Sequence, residues 1–284
     1  MTTHLVTPEA PASVDLAPLE RLTRDVRDTA RLADTAQARA LVDFYYQLQE
    51  LRKATGNQAR SLGRDDEPNA LAEFFAGQMG RLEDQVASAL DVWTKDQPVA
   101  DWCRAQYGVG PIITAGLLAH IDITQAPTVG HIWRFAGLDP SVRWGKGEKR
   151  PWNAALKTLC WKLGDSFVKF HNADDCFYGH LYAERKALEV ERNEQGRFAD
   201  QAADKLATTN IRDKATRAVY EAGRLPDGRL DLRARRWAVK IFLAHLHEVW
   251  FYEHYGTAPP KPYVLENVPG HAHKISPPHW APPA

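Results

Sequence analysis

The chain has 284 residues, is 44% hydrophobic and 25% charged, and carries a formal net charge of zero. Such a length buries a sizeable core and leaves room for two domains, and the composition is that of an ordinary globular protein. It argues against a membrane-spanning helix, because no apolar run nears the ~18 residues needed. Three cysteines, Cys103, Cys160 and Cys176, are an odd set without CxxC spacing. They argue against a disulfide or zinc framework and fit a reducing, cytoplasmic setting.

Charge is unevenly spread. Residues 1–133 hold 12 Lys+Arg against 18 Asp+Glu, a net −6, whereas 134–169 hold 8 against 3, a net +5. A local basic excess in a neutral chain points to an anionic partner. A solvated basic face is the alternative.

The predicted elements run as follows. Residues 1–15, rich in Pro, Ala and Thr, are expected to be disordered. Residues 16–97 read as a helical arm. One helix runs from about Leu16 to Ser61 and a second from Ala70 to Trp93, each with an apolar stripe. This hairpin is either a packing arm or a homodimerisation element. Residues 98–170 read as a compact unit of short helices, with Pro98, Pro111 and Pro151 placed to open three of them. Residues 171–256 form a charged helical region, interrupted near Gly196 and near Leu206, where Thr209–Asn210 could cap a new helix. It closes with an amphipathic helix over 231–255. Residues 257–284 are dense in proline and are expected to lie extended on the surface. No stretch alternates as a strand does, so the fold class is all-α.

The segment Gly108-Val109-Gly110-Pro111 carries the functional argument. Both glycines permit positive φ, so Gly110→Val is expected to strain the chain. Helix, Gly-Val-Gly, helix is a helix-hairpin-helix pattern. Backbone N–H groups of Gly108, Val109, Gly110 and Ile112 could then face a phosphate at the start of the second helix. An ordinary helix corner is the alternative. Arg143, Lys146, Lys149 and Arg150 follow, interleaved with Trp144 and Trp152, which suits phosphate contact with base stacking. Arg233, Arg235 and Arg236 crowd the first turns of the last helix, where they oppose its dipole, so either phosphate contact or pairing with the acidic front helices is their role. The C-terminal histidines His245, His247, His254, His271, His273 and His279 lack a ligand spacing, and no metal or other cofactor is expected. Asp174, Asp175, Glu189 and Glu191 read as solvated charges.

From "YGVGPIITAGLLAHI" through "WRFAGLDPSVRWGKGEKRP", residues 80–170 resemble the C-terminal domain of the DEDD-type insertion-sequence transposases, which are RNA-guided recombinases. The segment from Lys240 to Val264 also looks like a recurring module of transposase-like proteins from bacterial mobile elements and phages. The resemblance implies a helix-hairpin-helix that holds DNA or structured RNA. Two features depart from the family. The segment ahead of the domain lacks its acidic RuvC-like pattern, and Trp144-Gly145-Lys146 stands where the family places a nucleophilic serine. Ser141 is the nearest remaining candidate. The expectation is a binding protein; an active recombinase or a helical scaffold is the alternative.

Overall fold

The computed structural model describes residues 22–62, 70–145, 147–261 and 274–282. The expected disordered start, Lys146, His271, His273 and much of the tail lie outside them. Among the described residues the structure holds eleven α-helices and no strand, so the fold is all-α. None of these helices is long and apolar enough to cross a membrane.

The front of the chain makes α1 (Arg24–Arg31), α2 (Thr35–Leu62) and α3 (Ala70–Thr94). One helix was expected through Leu32–Asp34, but the chain breaks there. The Gln37 N–H donates to Asp34 Oδ1 at 2.7 Å, and the Asp34 N–H donates to Gln37 Oε1 at 2.9 Å. This reciprocal capping box starts α2 afresh. The Trp93 indole N–H fixes the break by donating to the Ala33 carbonyl at 2.8 Å. α2 and α3 pair as a hairpin and send Val42, Leu48, Val86, Leu90 and Trp93 into the main core. Phe44, Leu51, Leu71 and Phe75 stay exposed on it.

Then come α4 (Ala100–Ala105), α5 (Pro111–His120), a 3-10 turn (Ile123–Gln125), α6 (Val129–Phe135) and α7 (Ala154–Lys169). α4 starts two residues after Pro98. Its N-cap, Val99, sits at φ 56°, a strained position for a β-branched residue. The Glu253 carboxylate holds it there, accepting from the Val99 N–H at 2.6 Å. α7 starts after Pro151, capped by Asn153, whose side chain accepts from the Leu156 N–H at 2.9 Å.

The remainder is α8 (Phe177–Glu194), α9 (Ala199–Thr208), α10 (Lys214–Glu221) and α11 (Asp227–Tyr255). The break after α9 is capped by Asp213, which accepts from the Thr216 N–H, and not by Thr209–Asn210. α11 begins earlier than expected, at Asp227. It lies across α6, α7 and α8 and buries Phe242, Leu243 and Leu246 beside Leu163, Phe167 and Tyr178. A second, smaller cluster joins Phe198, Ala202, Tyr220, Leu225 and Leu230.

The described part of the tail is extended and anchored. Trp102 Nε1 donates to the Pro278 carbonyl at 2.9 Å, and Lys274 pairs with Glu248 at 2.6 Å. His245 bridges tail and core. Its Nε2 donates to the Ile275 carbonyl at 2.9 Å, and its Nδ1 accepts from the Tyr178 hydroxyl at 2.8 Å.

Candidate nucleic-acid interface

The Gly-Val-Gly turn joins α4 to α5 as the helix-hairpin-helix pattern requires, but its two glycines do different things. Gly108 sits at φ +85°. The Ser166 hydroxyl, from α7, donates to its carbonyl at 2.6 Å. A Cβ on Gly108 would come within 2.9 Å of that hydroxyl oxygen. Gly110 has φ −81° and ψ 177°, ordinary extended backbone, and a Cβ there meets open space. The expected strain at Gly110 is therefore absent; it belongs to Gly108.

Val109 also departs from expectation. Its side chain is 3% exposed and plugs the core, and its N–H donates to the Gln106 carbonyl at 3.0 Å. It has no N–H to offer a phosphate. Gly110 gives α5 no side-chain cap and Pro111 has no N–H, so the Ile112 and Ile113 N–H groups form the open end of α5. Of α5, Pro111 lines a cavity of about 720 Å³, together with Arg24, Arg27, Arg31 and Lys95 among others. Carboxylates share this cavity, and Asp91 pairs with Lys95 at 3.2 Å.

The 143–150 loop is exposed and internally held. The Trp144 indole N–H donates to the Glu148 carbonyl at 2.8 Å, and the Gly145 N–H donates to the Glu148 carboxylate at 2.9 Å. Trp144 is 43% exposed; it meets Trp152 edge-on at 6.1 Å, and the Arg150 guanidinium lies over its ring at 5.3 Å. Lys157, in the first turn of α7, lies over Trp152 at 4.0 Å. The tryptophans are thus not lost to the core: they hold a cation each.

The structure does not bring this loop to the hairpin turn. The turn is anchored at Ser166, the loop at Lys157. Nine residues of α7 separate them, about 14 Å along the axis. Through Lys157 the loop adjoins the start of α7, which packs on α11. Burial, then the Arg236 and Arg150 guanidiniums, push the Lys157 pKa below its usual value. Burial, then Arg229 and Arg233, do the same to Arg236. Like charges that lower one another's pKa add to a local positive field, and Asp204 shares its cleft with Arg229 and Arg236. Among the described residues, Arg143, Lys149, Arg150, Lys157, Arg229 and Arg236 have no carboxylate partner.

Arg233 and Arg235 are different. Arg233 pairs with Glu189 at 2.7 Å, and Arg185 holds the same carboxylate at 2.5 Å. Glu189, read from sequence as solvated, is 0% exposed. Burial alone raises its pKa, but the two arginines outweigh it and hold the carboxyl below its usual value. Arg235 bridges Asp231 at 2.6 Å and Asp165 at 2.9 Å. These two arginines tie α11 to α8 and α7. They do not pair with the acidic front helices, and of the three predicted on this helix only Arg236 is exposed without a carboxylate partner, its Nε donating to the Leu232 carbonyl at 3.3 Å. Lys157 and Arg229 were missed. The one sequence sign for Lys157 is its place in the basic 134–169 segment.

Ser141 closes a turn, its hydroxyl and its N–H both donating to Asp139 Oδ1, at 2.7 and 2.9 Å. These bonds hold the Asp139 pKa down, so the carboxylate is a poor base for activating that hydroxyl. The histidines His245 and His247 are buried and bonded to backbone carbonyls, while His254 and His279 are exposed. Among the described residues no group of three or more His, Cys, Asp or Glu could hold a metal ion. All three cysteines are buried and free.

No protein-family model, no curated protein and no solved structure matches this chain.

Proposed function

We propose that this protein binds nucleic acid through backbone phosphates, as a transposase-like protein of a mobile element that holds its substrate without cutting it. One observation carries the reading: Arg150 lies over Trp144 and Lys157 over Trp152, the two rings meeting at 6.1 Å, and neither cation has a carboxylate partner among the described residues, while Arg236 of α11 adds positive charge near Lys157. Holding like charges together costs folding free energy, and a polyanion recovers it. The hairpin turn, with the uncapped start of α5, is a second, smaller phosphate contact about 14 Å away along α7. DNA is the favoured ligand, structured RNA the alternative, and a cytoplasmic location goes with either. The enzyme alternative has less behind it, because Ser141 donates to a carboxylate of lowered pKa.

A mobility-shift panel of single-stranded, duplex and branched DNA and structured RNA tests the proposal. The protein should retard at least one of these, and a variant with Arg150, Lys157 and Arg236 all changed to alanine should lose affinity for every sequence alike. No retardation of any of them overturns the reading. Nicked DNA that disappears with Ser141→Ala overturns its non-cleaving part.

A further inference from the structure

Trp161 is the most exposed large aromatic of the described residues, at 55%. It lies on the outer line of α7, one turn after Lys157 and one turn before Asp165. Asp165 is taken by Arg235 of α11. Trp161 itself has no ring partner, no cation over it and no hydrogen bond among the described residues. A flat indole left half in water is a ready platform for stacking, and its neighbours say with what.

Its surroundings narrow the choice. Lys157, Thr158 and Lys162 flank it on α7, Lys162 lying over the Tyr46 ring of α2 at 3.9 Å, and one turn on Asp165 pairs with Arg235 of α11. A protein or lipid partner buries apolar surface and calls for a contiguous apolar patch. Trp161 has charged and polar neighbours instead. Trp144 presents a second half-exposed indole: Arg150 lies over it, it meets Trp152 edge-on, and Lys157, one turn before Trp161, lies over Trp152. Indoles separated by cations match a ligand whose flat apolar groups alternate with anionic ones. That is an unpaired nucleic-acid strand, whose bases are free to stack while its phosphates meet Lys and Arg. A duplex offers phosphates to the same cations but keeps its base faces covered.

We infer that the α7–α11 surface binds single-stranded nucleic acid, with Trp161 and Trp144 as stacking platforms and Arg150, Lys157 and Arg236 on the phosphates between them. This rests on the nucleic-acid reading above and narrows its substrate class.

The test is binding of the full chain, at one fixed salt concentration, to an oligothymidylate of about 15 nucleotides, its duplex of equal length, and anionic phosphatidylserine vesicles. Oligothymidylate should bind tighter than the duplex. Trp161→Ala should weaken it about five- to a hundredfold, Trp161→Phe should restore most of the loss, and neither should move the melting temperature. Duplex binding that equals or exceeds single-strand binding and ignores Trp161→Ala overturns this inference and leaves the broader one standing. Vesicle binding lost in Trp161→Ala, with oligothymidylate affinity unchanged, also overturns it and assigns the indole to lipid. Failure to bind either oligonucleotide overturns this inference, while the broader reading falls only if branched DNA and structured RNA also go unbound.

Discussion

Gly108 and Gly110 look interchangeable in the sequence and are opposites in the fold. Gly108 needs positive φ and has the Ser166 hydroxyl where a Cβ would go. Gly108→Ala should therefore cost about 1–3 kcal/mol in urea unfolding, from left-handed backbone and crowding together. Gly110 is an N-cap in extended conformation with open space around it. Gly110→Ser should gain about 0.5 kcal/mol, because its hydroxyl can accept from the first free N–H groups of α5 and the unfolded chain loses freedom. Equal effects at the two positions would contradict this assignment.

His245 gives the fold a pH dependence whose sign is fixed. Burial lowers its pKa from the ordinary 6.5 to about 4, and its two ring nitrogens are used as one donor and one acceptor in the neutral form. The unfolded chain binds a proton first as pH falls. Stability is thus complete above pH 6.5 and drains away between there and about pH 4. Unfolding free energy should drop by about 2 kcal/mol from pH 7 to pH 5 on this account alone. His247, lowered in the same direction by burial, adds to it. His245→Gln can keep both hydrogen bonds without titrating, so it should flatten the profile. An unchanged slope in that variant would remove His245 as its source.

At the scale of elements, α11 has two sets of arginines with two jobs. Arg233 and Arg235 are structural, and Arg236 with Arg229 is not. Arg233→Ala leaves the buried Glu189 carboxylate with Arg185 only, and should cost about 2–4 kcal/mol of stability. Below its lowered melting temperature the variant should bind nucleic acid nearly as the parent does. Arg236→Ala should show the reverse, lost affinity at unchanged stability. If both variants lose affinity and neither loses stability, the division is wrong.

The long helices were legible because α2, α3 and α11 carry apolar residues at helical spacing over several turns. The break between α1 and α2 was not read, although Asp34-Thr35-Ala36-Gln37 is a capping-box sequence; the apolar spacing runs straight through it and hid it. The burial of Glu189 was illegible for a different reason. α8 is charged on most sides, and only the approach of α11, 44 residues later, decides which carboxylate is enclosed.

At the scale of the molecule, sequence proximity misled in one place and long-range packing supplied the remedy. The hairpin turn and the basic loop are neighbours in the chain but sit at opposite ends of α7. What reaches the base of the loop, at Lys157, is the charge of Arg236, which is 86 residues beyond Arg150 and invisible to any local pattern. The aromatic and basic composition of 143–152 was readable; the surface it belongs to was not. Long-range packing joins the loop, α7 and α11 into one positive field, and the account depends on that field meeting phosphates.

The salt dependence of binding tests this most directly. Observed affinity for an oligonucleotide should fall linearly on a log–log plot against salt, with a slope near −0.7 to −0.9 for each phosphate neutralised. Replacing Arg150, Lys157 and Arg236 together with alanine should make that slope shallower by about 2–3 while the melting temperature holds. A slope unchanged by the three substitutions, or binding indifferent to salt, would contradict the account.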